Sequence, residues 1–229
     1  MAKQTKRKSL RVDIITPFPE AFSYLDTSLL KRARERGLLT IKLWHLRDFA
    51  TDRHKTIDDR PYGGGPGMVL KVDVLHRALE TVKKAHRTRK RLIILTDLGG
   101  KVFSQGLART LSGLDQLIII CGHYEGVDAR IEKFVDAKIS IGPYTLSGGE
   151  LAAMVIVDAV ARHLPGFLHK PESLEEVRGK GTLQSVPTYT RPPAFKLGRK
   201  TYRIPPALAA GNHKEIEAWK TKHAKRIKG

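Results

Sequence analysis

Four glycines stand directly beside two acids and an arginine in the segment DDRPYGGGPGM, residues 58 to 68. Glycine has no side chain, so a ligand can come close to the backbone there. Carboxylate and guanidinium groups add hydrogen-bonding capacity and charge at the same place. The segment therefore suits a ligand that requires both bare backbone and charge. Three further glycine-bearing segments occur later in the chain: LTDLGGK, CGHYEGVDAR and SIGPYTLSGGE.

The overall charge indicates a polyanionic partner. The 229 residues include 42 Lys and Arg against 23 Asp and Glu, a formal net charge of +19, and the pI is about 10.2. Three runs are strongly basic, at 1–11, 82–91 and 214–229. This pattern favours a nucleic acid over a merely solvated basic surface, but it does not identify which nucleic acid.

Several other classes of protein are disfavoured. The single cysteine, Cys121, excludes an internal disulfide, and no apolar run follows the basic N-terminal residues. We therefore expect neither a signal peptide nor a membrane span, and a cytoplasmic location. The motifs GxxxxGK[ST], HExxH and GxSxG are missing, as are paired cysteines and a GxGxxG between a strand and a helix. Their absence argues against common nucleotide folds, zinc chemistry and serine hydrolases, and no metal site is predicted.

The glycine-bearing segments follow predicted strands. Strands are predicted at 11–16, 38–46, 91–97, 115–122 and 138–142, and helices at 19–37, 72–87, 104–113, 128–137 and 149–165. Such alternation is typical of an α/β domain with a mostly parallel sheet, in which ligands bind at the carboxyl ends of the strands. After Pro165 the pattern gives way to polar sequence that predicts a linker, followed by a last helix at 213–226.

Four motifs together resemble one family: DRHKTIDDRPYGGGPGM, CGHYEGVDAR, SIGPYTLSGGE and PTYTRP. Their order and spacing are similar to those of the bacterial tRNA (guanine-N1)-methyltransferases, which modify the guanine next to the anticodon. The resemblance implies a SPOUT-type fold, with helices on both faces of the sheet and a deep trefoil knot, an exception to the rule against threaded connections. It also implies S-adenosylmethionine as methyl donor, tRNA as partner, a magnesium requirement, and a homodimer with active sites at the subunit interface.

The charge pattern, the loss of strand–helix alternation after Pro165 and the resemblance together predict a domain organisation. Its parts are a basic, disordered tail (1–10), a methyltransferase domain (11–165), a linker (166–190) and a small, shortened helical C-terminal domain (191–229).

The resemblance assigns donor binding to residues of three glycine-bearing loops. The glycines allow backbone N–H and C=O groups to contact the adenine and the sulfonium closely, although glycines that merely form turns are the alternative. The carried residues are Leu95 and Thr96 in the first loop, Gly122, Tyr124, Glu125 and Gly126 in the second, and Ser140, Ile141, Gly142, Tyr144, Leu146, Gly148 and Gly149 in the third.

The opening segment becomes a substrate loop under this resemblance, reaching across the dimer to cover the donor and the target guanine. Its carried residues are Arg53, His54, Asp58, Arg60, Pro66 and Gly67. Asp58 would accept hydrogen bonds from the Watson–Crick edge of guanine, and Arg60 would pair with phosphate. A simple ion pair between Asp58 and Arg60 is the alternative.

Catalysis is where the chain departs from the family. N1 of guanine carries a proton, so methylation requires a base for that proton and a cation beside the developing charge on O6. Arg162 matches the family arginine, but the position of the family aspartate is Val177, and we hypothesise that the adjacent Glu176 is the base. Other family residues are replaced by His123 (usually Arg), Pro143 (usually Asp), Asp97, Leu98 and Ala152.

Two function classes therefore remain. One is an active tRNA guanine-N1 methyltransferase. The other is a catalytically weakened SPOUT protein that binds RNA and S-adenosylmethionine, and methylation of a different RNA acceptor is a further alternative.

Overall fold

A computed structural model describes residues 9–168 and 184–226. The chain divides into two compact units, Met1–Leu168 and His169–Gly229. Most of the expected tail, part of the expected linker, and the positions Glu176 and Val177 lie outside the described residues. The predicted domain boundaries thus stay a prediction.

The first unit is built on a five-stranded parallel sheet. In chain order its strands are β1 (Leu10–Thr16), β2 (Leu39–His45), β3 (Asp58–Asp59), β4 (Val69–Leu70), β5 (Arg91–Val102), β6 (Gln116–Cys121) and β7 (Ala137–Ser140). The five long strands lie in the order β2-β1-β6-β5-β7, and every pairing among them is parallel. The two short strands, β3 and β4, form a separate antiparallel pair. The predicted α/β class with a parallel sheet is confirmed.

Helices cover both faces of this sheet. The α-helices are α1 (Ser28–Glu35), α2 (Val72–Ala85), α3 (Gln105–Leu111) and α4 (Glu150–Ala161), and three 3₁₀ helices span Pro19–Asp26, Leu46–Phe49 and Ala129–Phe134. One apolar core includes residues of α1, α3 and α4, and a second, on the other face, includes residues of α2. The central strand β6 is therefore buried along its whole length, which explains its continuous apolar run.

The helix α2 shows why sequence periodicity locates these elements well. Its buried side chains are spaced so that they form one stripe: Val74, Leu75, Ala78, Leu79 and Val82. Residues three and four apart share one face of an α-helix, so this stripe meets the sheet while the charged residues face solvent. Each fully buried Leu or Val contributes about 1.5–3 kcal/mol to folding.

Two predicted helices differ in the structure. The segment 19–37 forms a 3₁₀ helix and then α1. Thr27 between them is extended, and Ser28, the first residue of α1, has a φ of 48°, which breaks the helical path. The segment 128–137 forms a short 3₁₀ helix, in which only Ile131 is buried. A single apolar anchor provides too little packing for a longer helix. The strand β5 is also longer than predicted, because after a register shift between Thr96 and Lys101 it continues beside β7 to Val102.

The second unit contains short elements. They are β8 (Gln184–Ser185), β9 (Ala194–Leu197), β10 (Lys200–Arg203), α5 (Pro206–Ala209), α6 (His213–His223) and β11 (Lys225–Arg226). The strands β9 and β10 form an antiparallel hairpin, and β8 pairs with β11. The predicted last helix is present, whereas the hairpin was not predicted; all of its strand residues are exposed except the half-buried Ala194. No helix of the described residues is long and apolar enough to cross a membrane.

Candidate functional site

A cavity of about 340 Å³ opens at the carboxyl ends of β6 and β7, beside the register shift in β5. Three segments line it, which we call the first, second and third loops, at 96–98 within β5, at 122–127 and at 139–149, together with Ala152 of α4. Twelve of the thirteen residues predicted to bind the donor lie in its wall: Thr96, Gly122, Tyr124, Glu125, Gly126, Ser140, Ile141, Gly142, Tyr144, Leu146, Gly148 and Gly149. The thirteenth, Leu95, is buried inside β5 and belongs to the core on the α2 face.

Close backbone packing holds the first and second loops against the start of α4. The backbone N–H of Gly149 donates to the carbonyl of Gly122 at 2.7 Å, and Thr96 Oγ1 donates to the carbonyl of Ile120 at 3.2 Å. A Cβ atom at Gly149 would lie only 1.9 Å from Thr96 Oγ1. Glycine is therefore required at this position for the wall of the cavity to close.

A buried carboxylate lies behind the cavity. Glu150, the first residue of α4, is 6% exposed, and its Oε1 accepts a hydrogen bond from Thr16 Oγ1 at 2.9 Å. Its Oε2 lies 3.4 Å from Nδ1 of His123, a cavity-lining residue. The His123 ring also packs on Phe18, with centroids 4.6 Å apart. These contacts join the end of β1, the second loop and α4 into one frame.

Cys121, at the end of β6 beside the cavity, is not a nucleophile. Burial raises the pKa of the Cys121 thiol well above its ordinary value, and the nearby negative charge of Glu150 raises it further. A thiol must lose its proton to attack a substrate. Cys121 is therefore a structural residue of β6.

The third loop turns tightly beside the cavity. The backbone N–H of Gly142 donates to Ser140 Oγ at 3.2 Å, and the Ser140 hydroxyl donates to the Gly142 carbonyl at 3.0 Å. The Tyr144 hydroxyl donates to the Ile141 carbonyl at 3.2 Å. The Tyr124 and Tyr144 rings both remain exposed beside the cavity. They are available to pack against a flat ligand.

The predicted substrate loop is anchored to the second cavity loop. Its stem is the β3–β4 ladder, and the backbone N–H of Glu125 donates to the Met68 carbonyl at 3.0 Å. The N–H of Leu70 donates to the Gly126 carbonyl at 3.0 Å. A Cβ atom at Gly67, whose φ is +81°, would lie 2.4 Å from Cγ of Glu125. The C-terminal end of the glycine-rich loop therefore lies directly beside a cavity-lining side chain.

The six predicted substrate residues present an accessible surface. Asp58 is half-buried, and the other five are exposed: Arg53, His54, Arg60, Pro66 and Gly67. Among the described residues Asp58 forms no ion pair with Arg60. The backbone N–H of Arg60 instead donates to the carboxylate of Asp59 at 2.8 Å.

Arg162, one of the two predicted catalytic residues, is not at the cavity of this chain. Arg162 follows the last residue of α4, whereas Gly149, which lines the cavity, precedes the first residue of the same helix. An α-helix of that length separates its ends by about 18 Å. Within the part of the chain that the structure describes, Arg162 does not line the cavity, and Glu176 lies outside the described residues.

Eight further residues line the cavity but were not among the predicted donor-binding residues. These are Asp97, Leu98, His123, Val127, Ile139, Thr145, Ser147 and Ala152. Most of them sit inside the three predicted loops, so loop membership alone would have identified them. No group of three or more potential metal ligands occurs among residues 9–168 and 184–226.

Comparison with known proteins assigns the chain to a family. The profile of the tRNA (guanine-1)-methyltransferase family TrmD matches residues 10–228. A tRNA (guanine-N(1)-)-methyltransferase of Dictyoglomus turgidum is 46% identical over 216 residues, covering 94% of this chain and 85% of that protein. Proteins of the same name from Chloroflexus aggregans (47% over 213 residues; 92% and 81% covered) and Clostridioides difficile (40% over 220 residues; 95% and 94% covered) are also similar. The chain therefore belongs to the tRNA (guanine-1)-methyltransferase family.

Proposed function

We propose that this protein transfers a methyl group from S-adenosylmethionine to N1 of the guanine next to the anticodon of a tRNA. The observation that carries the proposal is the cavity that the three loops form at the carboxyl ends of β6 and β7, beside the register shift in β5. Family membership and the net charge of +19 support a tRNA substrate.

The cavity suits the methyl donor. Its volume of about 340 Å³ falls in the range of pockets that enclose small-molecule ligands. Gly122, Gly142 and Gly149 line this cavity without side chains, so a flat adenine can approach the backbone of the loops closely. The donor, when bound, supplies the electrophilic methyl group.

The chain provides candidates for the two catalytic tasks. Glu176 would take the proton from N1, replacing the aspartate whose family position is Val177. Arg162 would stabilise the charge that spreads onto O6 as the methyl group is transferred. Asp58 would accept hydrogen bonds from the guanine edge, and the exposed Arg53, His54 and Arg60 would contact RNA.

A homodimer reconciles these roles with the geometry. Arg162 and the cavity lie at opposite ends of α4 in one chain, so a second copy is the simplest source of the arginine. Leu151 and Val155 of α4 are apolar but exposed, whereas most other apolar side chains of this helix are buried. Such a stripe on a core helix is suited to a subunit interface. We therefore propose a homodimer with active sites at the interface, which would place the loop at 58–68 over the partner's cavity.

Three further parts of the proposal rest on the family resemblance. They are a deep trefoil knot in the sheet domain, a magnesium requirement for transfer, and a cytoplasmic location.

The test is transfer of a labelled methyl group to two tRNA transcripts in the presence of magnesium. One transcript carries two guanines at the 3′ edge of the anticodon, and the other lacks only the second guanine. The proposal expects labelling of the first transcript alone. Equal labelling of both would point to a different RNA acceptor and would overturn the assigned position.

A catalytically weakened protein is the second candidate, and Val177 is the observation that favours it. A valine cannot accept a proton. Tight donor binding and salt-sensitive tRNA binding without any methyl transfer would support this candidate over an active enzyme.

A further inference from the structure

The β9–β10 hairpin presents one face made of aromatic, aliphatic and cationic side chains. In its antiparallel register Tyr202 lies opposite Phe195, and Lys200 lies opposite Leu197. Opposed residues and alternate residues point to the same side of a β-ladder. Phe195, Leu197, Lys200 and Tyr202 therefore share one face, which we call the hairpin face.

The apolar members of the hairpin face are open to solvent. Phe195 is 56% exposed, Tyr202 is 55% exposed and Leu197 is 63% exposed. The two aromatic rings have centroids 6.4 Å apart and planes inclined by only 31°. They present neighbouring aromatic surfaces on an element too small to bury them.

The surroundings of the hairpin face are uniformly positive. The ten residues AFKLGRKTYR, 194 to 203, contain four cations and no acid. Across residues 184–226 there are ten Lys and Arg but only two Glu. Both glutamates are already engaged, because Glu215 accepts from the side chain of Asn212 and Glu217 pairs with Lys220.

We propose that the hairpin face is an RNA-binding surface that stacks on an unpaired base of the tRNA, while Lys200 on this face and Arg199 in the hairpin turn contact the flanking phosphates. Aromatic rings combined with cations are how proteins hold unpaired nucleotides. A second copy of the chain is a poorer fit, because stable protein interfaces involve about 20–30 residues a side and have few lysines at their centre. The inference rests on the proposed function only in taking tRNA as the ligand.

The experiment separates stacking from charge. Binding of the full-length protein to the tRNA transcript is measured at several salt concentrations, for wild type and for the double variant Phe195→Leu, Tyr202→Leu. Loss of stacking should weaken binding about tenfold or more and leave the slope of log affinity against log salt unchanged. Lys200→Gln should instead reduce that slope by about one unit or less.

Two matched variants control for folding and position. The double variant Phe195→Tyr, Tyr202→Phe keeps both rings and should bind as wild type does. Thr201→Ala changes an exposed residue on the opposite face of the hairpin and should have no effect. Donor affinity, which reports on the cavity in the first unit, should be the same for all variants.

Three results would overturn the inference: wild-type affinity in the leucine double variant, a loss accompanied by a changed salt slope, or a change in oligomeric state on sedimentation. The methyl-transfer assay keeps this result separate from the proposed function. If wild type binds tRNA through the rings but transfers no methyl group, the hairpin inference stands and the proposed function fails.

Discussion

Nδ1 of His123 lies 3.4 Å from Oε2 of Glu150, and this contact connects a cavity loop to the first turn of α4. The Glu150 side chain is buried, so removal of its neighbour leaves Oε2 without that hydrogen-bond partner. We expect His123→Ala to lower the free energy of unfolding by about 1–3 kcal/mol and to weaken S-adenosylmethionine binding.

The matched variant is His123→Arg, which introduces the residue usual in the family and keeps a hydrogen-bond donor beside Glu150. It should retain stability and donor affinity. Urea unfolding and calorimetric titration with S-adenosylmethionine measure the two quantities. Unchanged donor affinity in His123→Ala would show that this contact does not organise the cavity.

A methyl group at Gly149 should push apart the segments that form the cavity wall. Its Cβ would lie 1.9 Å from Thr96 Oγ1 and 3.0 Å from backbone atoms of Cys121 and Gly122. Since backbone cannot move aside easily, we expect Gly149→Ala to reduce donor affinity by at least about tenfold, as overpacking typically costs about 1–3 kcal/mol.

Gly106→Ala serves as the control for that substitution. Gly106 is an exposed residue of α3, and a Cβ there would have only one neighbour within van der Waals range, Ser104 Oγ at 3.8 Å. Alanine favours the helix over glycine by about 0.5–1 kcal/mol. The control should therefore be slightly more stable than wild type and bind the donor normally, as titration would check.

Gly67 and Gly64 offer a matched pair in the substrate loop. Both have φ of +81°, so alanine causes similar backbone strain at either site, but only at Gly67 would the new Cβ collide with Glu125. We expect Gly67→Ala to reduce methyl transfer several-fold more than Gly64→Ala. Steady-state rates at saturating tRNA would measure the difference, and equal losses would mean that only strain in the loop matters.

Most of the donor cavity could be predicted from the sequence. Apolar runs indicate buried parallel strands, and the loops that bind ligands follow such strands. The contact of Thr16 with Glu150 was not, since the two residues are 134 positions apart and only the folded sheet brings them together. The β9–β10 hairpin was missed for another reason. In β9 the alternation of apolar and polar residues covers only Phe195, Lys196 and Leu197, and the aromatic Tyr202 stands alone in β10, which is too short a pattern to predict strands.

Asp128 should give the fold an acid-dependent stability. Hydrogen bonds from the Arg130 side chain hold the pKa of the Asp128 carboxyl below its ordinary value, and partial burial opposes this shift. A carboxyl with a depressed folded-state pKa contributes stability above its unfolded pKa, and that contribution is lost as the pH falls through the folded value. We therefore expect wild type to lose stability faster than Asp128→Asn between about pH 5 and about pH 2.

The asparagine variant keeps an oxygen for the backbone N–H of Arg130, so the cap of the 3₁₀ helix Ala129–Phe134 is preserved and the charge alone is tested. Urea unfolding of both proteins across this pH range measures the effect. High salt should narrow the difference, because Arg130 is largely exposed. Parallel pH curves would mean that the ion pair adds nothing.

Glu176→Gln separates proton removal from binding. Glutamine keeps the size of the side chain but cannot accept the N1 proton. Under the proposed mechanism it should reduce the transfer rate by about 10²–10⁴-fold while donor and tRNA affinities stay near wild type. Unchanged turnover would exclude Glu176 as the base.

Arg162 and Gly149 together test whether an active site is shared between two copies. A heterodimer purified through two different tags would combine one Arg162→Ala chain with one Gly149→Ala chain. It is assayed at a donor concentration too low to fill the Gly149→Ala cavity, so that each homodimer is inactive under the proposals above. If the arginine acts on the partner's cavity, the intact cavity of the first chain meets the intact Arg162 of the second, and about half of the wild-type rate per dimer returns. If the arginine acts on its own cavity, each site carries one defect and no activity returns. Methyl transfer by the tagged heterodimer therefore decides between a shared site and a site within one chain.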